Sequence, residues 1–239
     1  TQALATSVEH MPANEYSEFT VVTPDRPGLF AMITGVLAAN GMNIVGARIA
    51  TSSDGMALDA FRISHVDQQD TAVDERRWER VRTQLEDVLA GRQVLAELLA
   101  RARGSGLLDR RYRPRLATDI VVDNSTSDEA TVLDVYTWDR PGVLHRIAEA
   151  LYSLRLDIHV AIITTNVDHV LDVFYVTEAD GRKCERESEL RAALLAALTE
   201  PPEDGDSAER KGASGPAPGS APAPGSAERP GVPLASTSS

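Results

Sequence analysis

One feature constrains this chain more than any other: part of it occurs twice. Asp25-Arg26-Pro27-Gly28 returns as Asp139-Arg140-Pro141-Gly142, an offset of 114 residues. Self-similarity at a fixed spacing sets the unit of folding and is read before anything else. The flanks agree with the motif. Ahead of each copy lies an alternating, strand-like stretch, Phe19-Thr20-Val21-Val22-Thr23 and Leu133-Asp134-Val135-Tyr136-Thr137. Behind each comes a helical pattern, with Leu29, Phe30, Ile33 and Leu37 matching Val143, Leu144, Ile147 and Leu151 along one face. Asn43-Ile44 and Asp157-Ile158 open a second strand. Leu58-Asp59-Ala60-Phe61 matches Leu171-Asp172-Val173-Phe174 at an offset of 113. The lost residue falls in the hairpin turn, where changes of length cost least.

A second helix follows each strand–helix–strand–strand run. In the first copy residues 74–103 carry Trp78, Val81, Leu85, Val88, Leu89, Leu95 and Leu98 at helical spacing, with Gly91 as a bend. In the second copy residues 185–198 carry Leu190, Leu194, Leu195 and Leu198. Asp119-Ile120-Val121-Val122-Asp123 reads as the fourth strand of the first copy. No counterpart is visible in the second, because Pro201 and Pro202 follow at once and proline cannot donate to a ladder. The expected class is α+β: two ferredoxin-like βαββαβ domains, each an antiparallel sheet with helices on one face. The boundaries are residues 1–15 for an N-terminal extension, 16–124 for the first domain with its long helix at 74–103, and 129–199 for the second. Two such units, joined edge to edge or stacked, leave a crevice between them.

The turn itself has a physical logic. Proline suits a first helical turn, where its missing N–H has no partner to lose. Asp25 and Asp139 sit beside the cap, where a carboxylate complements free amides and the helix dipole. Gly28 and Gly142 allow close approach of a backbone or a small ligand. A helix tip of this kind exposes N–H groups suited to a carboxylate.

Composition narrows the function. Net charge is −12 over 239 residues, so phosphate backbones and anionic membranes repel the chain, and neither nucleic acid nor membrane is an expected partner. Cys184 is the sole cysteine. That excludes a disulfide framework or a cysteine-based zinc site, and fits a cytoplasmic setting. No apolar run is long enough to span a bilayer, and no leader pattern opens the chain. It begins at Thr1 rather than Met, as a fragment of a longer protein would. Residues 200–239 are rich in Pro, Gly and Ser, with Ala-Pro-Gly-Ser at 217–220 and again at 223–226. Such a segment has too little apolar surface to offset its ordering entropy and is expected to be disordered.

Together these residues resemble ACT domains, the amino-acid-sensing modules attached to metabolic enzymes. The resemblance extends to the C-terminal tandem pair of the bifunctional PII-protein uridylyltransferase/uridylyl-removing enzymes, over roughly residues 19–198. It is carried by DRPGLFA at 25–31, Asn43-Ile44, Ala47-Arg48-Ile49 and Leu58-Asp59-Ala60-Phe61. In the second copy it is carried by DRPGVLHRI at 139–147, Ile163-Thr164-Thr165 and DVFYVT at 172–177. The linking helix and the basic run at 110–115 fit as well. The resemblance implies a glutamine sensor acting on upstream activities that uridylylate and deuridylylate the PII signalling protein. It also implies self-association through the ACT modules, and Mg and UTP bound upstream rather than here. Carried over by position, the ligand contacts are Asp25, Arg26, Gly28, Leu29, Asn43 and Ile44, with Asp139, Arg140, Gly142, Val143, Asp157 and Ile158 in the second copy. Asp157 stands where the first copy has Asn43, and a carboxylate there repels a ligand carboxylate. The first site, or a composite of both repeats, is therefore favoured. The alternative is a free-standing tandem module for assembly or for sensing another amino acid.

No catalytic centre is legible. Gly104-Ser105 and Asp119 resemble the opening of a nucleotidyltransferase site, but Val121 stands where the second metal-binding carboxylate is needed. His10, His65, His145, His159 and His169 are scattered, and none is followed by Asp. No nucleophile elbow and no phosphate loop is present. Asp59 and Asp172, inside apolar strands, read equally as ligand contacts or as devices guarding a sheet edge.

Overall fold

The computed structural model of the chain describes residues 4–64, 75–104, 117–138, 142–166 and 169–199. The tail at 200–239, the basic run at 110–115, Asp74, Asp139 and Arg140 lie outside the described residues. All the described elements belong to one compact unit.

The first repeat contains β1 (Ala5–Met11), β2 (Tyr16–Pro24), α1 (Leu29–Ala39), β3 (Ile44–Thr51), β4 (Met56–Ser64), α2 (Glu75–Leu89) and α3 (Leu95–Gly104). The second contains β5 (Asp119–Asp123), β6 (Thr131–Trp138), α4 (Val143–Ser153), β7 (Leu156–Asn166), β8 (His169–Glu178) and α5 (Glu187–Leu198). The strands form two four-stranded antiparallel sheets, ordered β1-β2-β4-β3 and β5-β6-β8-β7. This is the ferredoxin-like architecture expected, twice over.

Its wiring differs from expectation at the edge strand. Asp119–Asp123 does not complete the first sheet; it pairs with β6 in the second, and β1 fills the matching place in the first. Each repeat therefore runs ββαββα, with its outer strand first. The reason is loop closure. A strand a few residues ahead of its antiparallel neighbour closes a hairpin at small entropic cost, whereas a return from the far end of a helix closes a longer loop. A second departure lies at Gly91. The expected helix over 74–103 is two helices, because Gly91 takes φ +70. The amides of Gly91 and Arg92 then bond to Val88 and Asp87 at 3.0 and 2.8 Å, closing a Schellman cap on α2.

Burial follows the period expected of each element. Along β2, Ser17, Phe19, Val21 and Thr23 are buried and alternate with half-exposed neighbours. Phe19 stacks on Trp78 of α2 at 5.3 Å, and Phe30 of α1 stacks on Phe61 of β4 at 5.8 Å. One apolar core runs through both repeats. α1 carries no charged side chain, as a helix covered on several sides must, because it packs on α2, α3 and α4. The repeats meet along α1 and α4 and along the outer strands β3 and β7. At the helix contact, a Cβ on Gly35 would lie 2.7 Å from Leu95 and 2.9 Å from His145. The His145 Nδ1–H donates to the Ala31 carbonyl at 3.0 Å, and burial holds this imidazole below its usual pKa. Among the described residues, no helix is long and apolar enough to cross a membrane.

Candidate functional site

The Asp-Arg-Pro-Gly segment folds as a β-turn rather than as the first turn of a helix. Leu29 N–H donates to the Arg26 carbonyl at 3.1 Å. Gly28 takes φ 77, ψ 7, which is the third-position conformation of a type II turn, with Pro27 ahead of it at the position proline favours. Gly142 repeats the conformation at φ 79, ψ 6. The proline therefore precedes the cap, and the glycine itself is the cap. Asp25 is not a capping group either. Its carboxylate accepts from the Arg26 amide at 2.8 Å and from the Thr51 hydroxyl at 3.0 Å, tying the turn to the end of β3.

No side chain caps α1. The first intrahelical bond runs from Met32 N–H to the Gly28 carbonyl at 3.0 Å. The amides of Phe30 and Ala31 come before it, at the end of the helix where the dipole is positive.

These groups form one wall of a crevice of about 250 Å³. Both repeats line it. The first supplies residues 25–31, Ile49, Ala50, Thr51, Ala57 and Asp59; the second supplies Ala148, Tyr152, Leu156, Asp157, Ile158 and His159. The volume falls short of the roughly 300–1,000 Å³ of pockets for drug-sized molecules, and suits a smaller metabolite. The Tyr152 ring lies over Gly28 so closely that a Cβ there would come within 2.9 Å of it. His159 Nε2 pairs with the Thr177 hydroxyl at 2.8 Å.

Charge in the crevice is acidic, from Asp25, Asp59 and Asp157. The Arg26 guanidinium donates to the Leu89 carbonyl at 2.8 Å, at the C-terminus of α2, where a cation complements the dipole. Asp59 is 5% exposed. Burial first, and then the charge of Asp25, push its carboxyl up to about 7. It stands on β4, a central strand, as Asp172 stands on the central β8. Neither is a sheet-edge device. Among the described residues, no group of three or more His, Cys, Asp or Glu side chains is placed to hold a metal ion.

The site residues expected from sequence are therefore regrouped. Asp25, Arg26, Gly28 and Leu29 share the crevice with Asp157 and Ile158 of the other repeat. Asn43 and Ile44, expected beside them, do not line it; Asn43 opens β3 by accepting from the Ser64 amide at 2.9 Å. Gly142 and buried Val143 start α4, while Asp139 and Arg140 lie outside the described residues. Tyr152, His159 and Thr51 escaped the sequence reading. Tyr152 carries a signal that was available: it stands at the place of Ala38, one of the sharpest differences between the repeats.

The model of the ACT domain family matches residues 18–83. Among solved structures, aspartate kinase from Synechocystis is similar at 16% identity and a TM-score of 0.37, over 75% of this chain and 26% of the kinase chain. This chain thus spans about a quarter of that protein's length. The fold is that of two ferredoxin-like modules, and the ACT family match lies in the first of them.

Proposed function

We propose that this chain is a regulatory amino-acid sensor that takes L-glutamine in the crevice between its repeats. We propose further that it is the C-terminal sensing region of a PII-protein uridylyltransferase/uridylyl-removing enzyme. The observation that carries the sensor reading is the shared lining: a turn and helix tip from one repeat face a strand opening from the other. ACT domains commonly bind small amino acids and self-associate, which supports the same reading. The amides at the tip of α1 suit the α-carboxylate of such a ligand, and the aspartates suit its ammonium group.

Support for glutamine and for the PII enzyme comes from the ordered motifs of the two repeats. In that setting the sensor reports nitrogen status to activities carried upstream, where Mg and UTP would be bound. A ligand touching both repeats acts by its differential affinity for two arrangements of them, and no other property of the ligand can move the equilibrium.

Isothermal titration of the chain with L-glutamine tests this reading. Saturable heat is expected, weakened at least about tenfold in Gly28→Val, where a β-branched residue meets both a left-handed φ and the Tyr152 ring. Absence of heat up to millimolar glutamine rejects glutamine as the ligand.

A further inference from the structure

Asp59 is buried without a structural reason for being charged. It pairs with Val21 on one side and Ile49 on the other, and among the described residues no hydrogen bond or ion pair reaches it. Most of the groups around it are neutral or of its own sign, and the cationic side chain among them is Arg26. Phe19, Thr23, Ala47 and Thr51, on the same face of β2 and β3, carry no charge, and neither does any residue of α1. From the turn come Asp25 and Arg26, whose guanidinium sits on the Leu89 carbonyl. From the second repeat come Tyr152, Asp157 and His159, the last bonded to Thr177. An unpartnered buried carboxyl is expensive, yet the duplicated chain places an aspartate, Asp172, at the matching site of the other sheet.

We propose that Asp59 is the cation-recognition group of the crevice, pairing with the ammonium group of the ligand and giving up a proton to do so. This assignment rests on the sensor reading above and adds to it a ligand class and a pH dependence. With the crevice empty, the carboxyl titrates at about 7, so in neutral solution a large share of it carries its proton. The approaching ammonium supplies the missing opposite charge and lowers that value. The carboxyl O–H proton passes to solvent, and a carboxylate–ammonium pair remains. Ligand uptake thus releases protons, and affinity falls as the solution is acidified.

Calorimetry of the whole chain at about pH 6.5, in two buffers of different ionisation enthalpy, counts the protons. Three probes are needed: L-glutamine, its analogue lacking the amino group, and 1,4-diaminobutane. Glutamine is expected to release on the order of one proton, with affinity gaining up to about tenfold per pH unit until it levels above neutrality. The deaminated analogue should bind at least about tenfold more weakly and release nothing. Asp59→Asn should abolish the release; if that variant fails to fold, the pH dependence of the parent chain serves in its place. Glutamine binding that is tight, pH-independent and free of proton release overturns the assignment. Proton-releasing uptake of the diamine but not of glutamine overturns the amino-acid reading and supports Asp59. If neither ammonium compound binds, both fall.

Discussion

At the scale of single residues, Asp59 makes the sharpest claim about the empty protein. Its folded carboxyl titrates near 7, against 3.8 in the unfolded chain, so between those values the folded state holds a proton that the unfolded state has released. Stability contributed by this group is therefore present in acid and is lost as pH rises through that window, by about 4 kcal/mol in full. Asp59→Asn removes the dependence. Urea midpoints should show the variant close to the parent at about pH 3.5, with its advantage growing up to neutrality and levelling near pH 8; equal differences at both ends would refute the burial argument. Much of this was readable beforehand. A lone aspartate in an apolar strand is a visible anomaly, and its recurrence as Asp172 marks it as more than an accident. Sequence could not say whether β4 lies at the edge or in the middle of its sheet, and that position excludes a protective role. Gly28 was legible as a position needing freedom. The ring that presses on it, 124 residues further along the chain, was not, because nothing local connects Tyr152 to the turn.

At the scale of elements, the helices and inner strands announced themselves by period, and the outer strands did not. β1 reads Ala-Thr-Ser-Val-Glu-His-Met, with four of its seven residues exposed and none fully buried, so its apolar signal is too weak to separate from a loop. The duplication contained the missing information: β5 starts 114 residues after β1, the offset of the turn motif itself. The helix ends show how the copies diverged. α1 stops at Gly41, in the left-handed region at φ 64, whose amide bonds to Ala38 and is followed by that of Met42 bonding to Leu37. α4 stops at the matching place with Arg155 at φ 60, its amide on the Tyr152 carbonyl at 2.8 Å. A side chain in that conformation carries a penalty that glycine avoids. Arg155→Gly should therefore raise the stability of the chain by about 1 kcal/mol, read as a higher denaturation midpoint with unchanged slope. A lower midpoint would mean that the arginine side chain contributes more than its backbone costs.

At the scale of the molecule, the two repeats are joined in a way neither half specifies alone. Sequence arithmetic paired each turn with the second strand of its own repeat and offered a composite of both repeats as the alternative, without saying which elements would meet. The fold pairs the first turn with the opening of β7, because α1 lies against α4 and β3 against β7. Periodicity within a repeat cannot reveal such an exchange, since it depends on which faces the two modules present to each other. The small residues along α1 (Ala31, Gly35 and Ala38) were a hint that another helix approaches closely. The central claim is that one ligand touches both repeats at once. Amide chemical shifts of the isotope-labelled chain, followed through a titration with L-glutamine, test it most directly. The account predicts that residues 28–31 and 156–159 move together, with one dissociation constant. Shifts confined to a single repeat, or to the helix-free face of the sheets, would contradict it.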